Sequence, residues 1–532
     1  MMNVRLSRST TGVRDRTGPS PFHLRRAAPL VILAGLLGAS AVDPTRAAEP
    51  MEARVEALIP DLQTTIAAGM KAFDVPGLSI GIVTGDRLVY AKGFGVRRKG
   101  GEPVDAKTVF QIGSATKGFL ATTMAIAADR KKFAWDDRVV DLDPDFQMRD
   151  PWVTREFRVF DLIAQRSGMP PYANDALGLL GADQAAMIHS LRYVEPVSSF
   201  RSTFAYTNIT HMLAQRIVAK RLGADDWDTV VRTNIFDSLG MKDSSFTAEA
   251  IEAAGNRTWG YRWTPDGSIE VPFTPLFPYG FGAAGSINST IDDMAQWLRL
   301  QLGNGAFQGN RIVSAENLDA TRTARVGMND KFAYAMGWLN QATPNGRIIW
   351  HNGGTTSYGA YVGFLPDKDA GVVILTNESN VGFPDALGEW TLDRLLGNPV
   401  VDHVSAKLSG AKANYERTET LFHRPANPNP PPPLAPLHGE FANPSFGSAA
   451  VTEDGGALVV ELKATGARIK LAPWDGSIFT AVLLPEGRFA AMAANLGPQP
   501  LGFVQFQIDT DGKLNVFKFS MEDGQAFEFR RQ

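Results

Sequence analysis

Half of the residues in "HRPANPNPPPPLAP", His423 to Pro436, are proline. Such a run has few backbone N–H groups to donate, so it can be neither a helix interior nor a central strand. It reads as a stiff, extended connector. The chain must therefore fold as two differently patterned regions joined there. The expected division is a leader over 1–48, a mixed α/β region over 49–405, a linker over 406–436 (proline-rich at 423–436), and an all-β region over 437–532.

The last region carries short apolar runs: "ALVVELK", "ARIKLAP", "SIFTAVLL", "RFAAMAA", "GFVQFQID", "KLNVFKFS" and "QAFEFRR". Turn signals separate them at Asp454-Gly455-Gly456, Asp475-Gly476, Glu486-Gly487, Asp511-Gly512 and Asp523-Gly524. Seven or eight such strands predict a small barrel or sandwich. The first region opens with a hairpin over 77–98, turning at Gly85-Asp86, and returns to strands over 346–376. Helical periodicity fills the interval at 114–130, 157–166, 207–222 and 289–302. Strands at both ends with helices between predict an antiparallel sheet closed by its terminal strands, with a helical subdomain inserted.

At the N-terminus, Arg14, Arg16, Arg25 and Arg26 precede the apolar run Ala28–Val42, and small residues follow. This has the form of a cleaved export signal, and it predicts a periplasmic or secreted protein with no membrane span after cleavage. The chain has no cysteine, so neither a disulfide nor a thiol nucleophile is available. A net charge of −3 over 532 residues gives no basic footprint for nucleic acid. The histidines have no metal-ligand spacing, and neither a metal nor a cofactor is expected.

Three elements carry chemistry. Ser114 and Lys117 in "GSATKGF" lie on one face at the head of an apolar helix, where a desolvated lysine can activate a serine. Tyr206 and Asn208 in "FAYTNITH" precede a second helix. A tyrosine beside a lysine cation would have a lowered pKa and could shuttle protons, while the asparagine amide could bond the lysine or a substrate. His351, Asn352, Gly353 and Gly354 end a β-branched run. Glycines there would admit a substrate to the strand edge, and the Gly354 N–H could pair with that of Ser114 as an oxyanion hole. Each element alone has an ordinary structural reading: a helix cap, a core aromatic, a core histidine. Decoys exist as well. Ser409–Lys412 lacks an apolar helix, Tyr172–Asn174 lies in a loop, and Gly280–Gly285 matches a dinucleotide fingerprint but follows a proline-rich segment.

In the order Ser-x-x-Lys, Tyr-x-Asn, His-x-Gly, the chain resembles the serine β-lactamase and penicillin-binding-protein-like hydrolases. It is most similar to the branch of class C β-lactamases, D-Ala-D-Ala carboxypeptidases and D-aminopeptidases. "LIAQRSGMPPY" (162–172), "FDSLGMKDSSF" (236–246) and "AAGSINSTIDDMAQW" (283–297) add to the likeness, which spans roughly 55–400. It implies a β-lactamase/transpeptidase-like α/β sandwich followed by a small lipocalin-like β-barrel. It also implies Ser114 as nucleophile, Lys117 as its partner and Tyr206 as proton shuttle, with Asn208, His351, Gly353 and Gly354 binding substrate.

Many relatives carry lysine where this chain has His351, so recognition of a substrate carboxylate should be weaker. The expected activity is that of a peptidase or amidase acting through an acyl-enzyme, D-residue-containing or non-standard peptides included. The alternatives are a carboxylesterase, a β-lactamase or D-Ala-D-Ala carboxypeptidase, and a non-catalytic peptide- or peptidoglycan-binding protein.

Overall fold

The computed structural model describes residues 50–532 apart from Asp509, Asp511, Gly512 and Asp523. The export signal expected over 1–48 lies outside the described residues, as does most of the turn chemistry at Asp511-Gly512 and at Asp523. The described residues form one compact unit.

Helix α1 (Met51–Phe73) leads into strands β1 (Gly77–Thr84) and β2 (Arg87–Gly95). The chain then leaves the sheet for its helical layer. That layer includes α2 (Thr116–Asp129), α3 (Ile209–Leu222) and α4 (Ile291–Leu302). It returns through β3 (Val326–Gly327), β4 (Phe332–Tyr334), β5 (Leu339–Thr343), β6 (Gly346–Gly354), β7 (Gly359–Leu365) and β8 (Ala370–Thr376). The antiparallel sheet runs β2-β1-β8-β7-β6-β5-β4-β3, so the first hairpin pairs with the last strand, as the strand–helix–strand order predicts.

Strands β1, β7 and β8 are buried along their whole length. Both of their faces are covered, which explains why they read as continuous apolar runs. On one face Leu62, Ile66 and Phe73 of α1 pack with Leu387 and Leu392 of α5 (Phe383–Leu396). On the other, Phe119 of α2 stacks on Trp297 of α4 at 4.1 Å, and Trp297 stacks on Trp338 at 5.4 Å. These rings fix α2, which carries Lys117, against the rest of the helical layer.

The stretch expected to be linker begins as helix α6 (His403–Leu421), so the extended segment is confined to the residues after it. His403 and Lys407 hold α6 to α5 through Glu389 and Asp393. Beyond the prolines, β9 (Gly439–Asn443), β10 (Gly447–Asp454), β11 (Ala457–Leu462), β12 (Ala467–Asp475) and β13 (Ile478–Leu483) are followed by β14 (Gly502–Ile508), β15 (Leu514–Met521) and β16 (Ala526–Arg531). The eight strands form a closed barrel.

One expected strand is absent. "RFAAMAA" is a 3₁₀ turn running into helix α7 (Ala490–Leu496). Its alternation rests on alanine, the strongest helix former, rather than on β-branched residues.

Candidate active site

Ser114 sits in a 3₁₀ turn, Gly113–Ala115, directly ahead of α2. Gly113 has φ +50°, and a Cβ there would stand 2.8 Å from Gly354 N. The left-handed glycine thus lets the serine turn close against the end of β6. Gly353 seals the same junction, since a Cβ on it would lie 1.8 Å from the Ile112 carbonyl oxygen. This glycine was expected to admit substrate. The structure uses it for the close approach of the chain's own backbone.

One turn into α2, Lys117 is fully buried. Its Nζ lies 2.8 Å from Asn208 Oδ1, 2.7 Å from the Ala284 carbonyl and 3.1 Å from Ser114 Oγ. The first two groups can only accept. A neutral lysine would give both of its protons to them and aim its lone pair at the Ser114 hydroxyl. Burial pushes Lys117 down to about 7, with Asp175 pulling the other way. A neutral amine is therefore well populated near pH 7. Asn208 stands immediately before α3 without capping it, and its Nδ2 donates to Asp175 Oδ2 at 2.6 Å, which turns the amide oxygen toward Lys117.

The Tyr206 ring lies under the Lys117 ammonium, 4.7 Å from Nζ to centroid. A cation so placed is expected to lower the tyrosine pKa, but the phenol is held well above the ordinary tyrosine range. Desolvation in the cleft is the first cause, with Tyr334 adding to it and a hydrogen bond with Ser114 opposing it. Burial reverses the expected direction: the lysine loses its charge more readily than the phenol gains one. Tyr206 is accordingly a neutral phenol beside Ser114.

His351 was expected to line the cleft, yet its side chain is buried behind Tyr206, 6.2 Å between ring centroids. Its Nδ1 must donate to the Asn352 carbonyl at 2.5 Å, leaving Nε2 to accept from the Tyr334 hydroxyl at 3.1 Å. Burial, with Lys117 second, drives the imidazole down to about 3, so it is neutral at any ordinary pH. The Asn352 side chain points to the opposite face of the sheet, where its Nδ2 donates to Asp385. Gly354 is exposed at the end of the strand.

Several neighbours escaped sequence reasoning. Asp175 and Tyr334 carry no motif, and Gln165 and Ala284 lie in segments that showed family likeness but no role. Gln165 Oε1 accepts from Thr207 N at 2.6 Å and so holds the Tyr206–Asn208 segment. Two decoys prove adjacent to the site. Tyr172 packs on Tyr206 at 5.5 Å between ring centroids, and the glycine-rich 280–285 segment supplies Ala284. Their nearness to the other motifs in the fold was the missing signal. Among the described residues no cluster suited to a metal ion occurs.

Comparison with known proteins agrees with this fold. The family model described as beta-lactamase matches residues 62–397, and a domain of unknown function, DUF3471, matches 423–531. An unguisins hydrolase of Aspergillus campestris is 25% identical over 82% of this chain and 87% of its own. Penicillin-binding protein 4 of Amycolatopsis lactamdurans is 26% identical over 69% of this chain and 93% of its own. The octameric penicillin-binding protein homologue from Pyrococcus abyssi shares the fold at a TM-score of 0.58 and 22% identity, covering 89% of this chain and all of its own.

Proposed function

The chain belongs to the beta-lactamase family, and from that premise we propose that it is a serine hydrolase that cleaves peptides or related amides through an acyl-enzyme. The observation that carries this reading is the buried Lys117, with two N–H groups committed to Asn208 and Ala284 and its remaining valence facing Ser114. Lys117 takes the Ser114 proton as Oγ attacks the carbonyl carbon. The N–H groups of Ser114 and Gly354, brought together across Gly113, hold the developing oxyanion. When the C–N bond breaks, Tyr206 gives its proton to the leaving amine and is reprotonated from Lys117. Water then attacks the ester along the same proton path. Neutral His351 offers no charge to a substrate carboxylate, which disfavours a D-Ala-D-Ala carboxypeptidase and leaves an esterase as the second reading. Export belongs to the proposal too, on the strength of the apolar, arginine-flanked N-terminus.

The test is labelling by a fluorophosphonate, read by peptide mass spectrometry, alongside turnover of aminoacyl p-nitroanilides and a p-nitrophenyl ester. Label on Ser114 that disappears in Ser114→Ala and Lys117→Ala, with anilide turnover, is the expected result. Label elsewhere would sink the assignment. Ester turnover without anilide turnover would replace the amidase by the esterase.

A further inference from the structure

Behind the loop that carries Tyr172 lies a groove of about 570 Å³, walled on one side by the helical layer and on the other by the barrel. Pro171 and Val197 line the first wall, and Asn443, Pro444, Ala526 and Glu528 the second. Val197 is 67% exposed. The barrel wall coincides with the seam at which the barrel closes. There β16 pairs with β9 at two positions only, Phe441↔Arg531 and Ala442↔Arg530. On its other side β16 is paired with β15 from Ala526 to Arg530. Ala526 to Glu528 are thus laddered to β15 but lie beyond the end of β9.

The direction of the backbone groups at this edge follows from three contacts. Arg530 pairs with β9, Gln532 N donates to the Glu440 carbonyl at 2.9 Å, and Asn443 Nδ2 donates to the Glu528 carbonyl at 2.9 Å. In an antiparallel strand the N–H and C=O of one residue point the same way and alternate along the chain. Ala526 and Glu528, in step with Arg530 and Gln532, therefore turn their backbone groups into the groove, where Asn443 takes the Glu528 carbonyl and leaves the Glu528 N–H and both Ala526 groups facing a ligand. Phe527 and Phe529 turn theirs to β15 and their rings into the barrel core.

The groove shares a wall with the candidate active site. Gln525, at the head of β16, accepts from Asn174 N at 2.8 Å and donates to the Tyr172 carbonyl at 3.0 Å. The next residue, Asp175, holds Asn208, which holds Lys117. Tyr172, between the groove-lining Pro171 and Asn174, is 43% exposed with its ring against Tyr206. The charges at the rim are paired, Glu195 with Arg149 and Glu528 with Arg530, so the groove has no net preference for a charged ligand.

We infer that this groove is an extended-substrate site: a peptide acylating Ser114 runs past Tyr172 and adds as a short strand to the open edge of β16 at Ala526–Glu528. An open strand edge recognises backbone rather than any one side chain, and Pro171 and Val197 supply an apolar wall facing it. The favoured substrate is an extended, uncharged peptide several residues long. This rests on the amide-hydrolase reading above and goes beyond it by naming length and backbone form as the specificity.

The test compares an aminoacyl p-nitroanilide, too short to reach the groove, with an internally quenched nine-residue alanine- and threonine-rich peptide. Ala526→Pro removes an edge N–H at a position where a strand tolerates proline. Val197→Arg obstructs the opposite wall without touching the barrel ladder. With thermal melts confirming the fold, each variant should raise KM for the nonapeptide about tenfold, the worth of one or two backbone hydrogen bonds, and leave kcat and the anilide unchanged. A nonapeptide KM within about twofold of wild type in both variants overturns the groove. So does a nonapeptide that is not cleaved while the anilide is, or an equal loss on both substrates. A wild-type dimer in sedimentation that Ala526→Pro dissociates would give the edge to a second copy of the chain and also overturn it. Failure of both substrates together with an unlabelled Ser114 would fell the hydrolase reading itself, which the other outcomes leave standing.

Discussion

Lys117 is fully buried between two neutral acceptors, so its proton affinity is set by burial rather than by the residues flanking it in sequence. The sign of the pH dependence follows. Below about 7 the ammonium holds its proton and cannot take one from Ser114; above it the amine is free. Acylation should rise about tenfold per pH unit on the acid side and level off past pH 7. Tyr206→Phe should split two reactions. Anilide turnover should fall about 10²- to 10⁴-fold, because an amine leaving group needs a proton. Fluorophosphonate labelling should survive with its midpoint still near the Lys117 value, because fluoride leaves unaided. Labelling lost together with turnover would make Tyr206 the base and Lys117 only its neighbour. Ser114, Lys117, Tyr206 and Asn208 are all legible as spaced motifs. The direction of the tyrosine shift is not, because it depends on how much of the cleft is closed to water.

At the scale of elements, the site is the junction of one 3₁₀ turn and one strand end. Gly113 and Gly353 set how closely they meet. Gly353→Ala drives a methyl group into the Ile112 carbonyl and must push the serine turn away from Gly354. The expected cost is about 1–3 kcal/mol in thermal or urea unfolding, with Ser114 labelling nearly lost. Labelling at the wild-type rate would show that the two amides need not be held together. The hairpins, α2 and α3 are readable because their apolar periods match their final environments. The 488–494 segment is not, because alanine suits either period and the docked helix α7 is chosen by what it packs against. The placement of α6 over residues expected to be linker has the same origin: His403 and Lys407 find Glu389 and Asp393 only in the fold.

At the scale of the whole molecule the barrel is a packed body whose loops buttress the site. Phe517 stacks on Phe529 at 4.5 Å and contacts Phe441 and Phe506 at 5.0 and 5.9 Å, so phenylalanine rings fill its interior. Its grip on the catalytic region comes from connecting segments. Asn495 of α7 is buried. It accepts from Thr356 Oγ1 at 2.6 Å and donates to the Pro272 carbonyl at 2.7 Å. Thr356 stands two residues beyond Gly354. Asn495→Ala leaves these partners unmatched and should cost about 1–3 kcal/mol of stability. It should also lower anilide kcat/KM several-fold while the pH midpoint stays near that of Lys117. Unchanged melting and unchanged kcat/KM would show that the barrel does not brace the site.

What the sequence determined by itself was local and compositional. A proline run had to break the chain, periods of two and 3.6 had to become strands and helices, and a serine three residues before a lysine on an apolar helix had to share its face. Tertiary structure alone decided which distant groups would close over that pair. Asp175, Ala284, Gln165 and Tyr334 reach the site because sheet and helices pack, and no spacing in the chain records it. The physical reason is that proton affinity and backbone approach depend on the water excluded and the atoms met. Both are properties of the assembled interior rather than of any single segment.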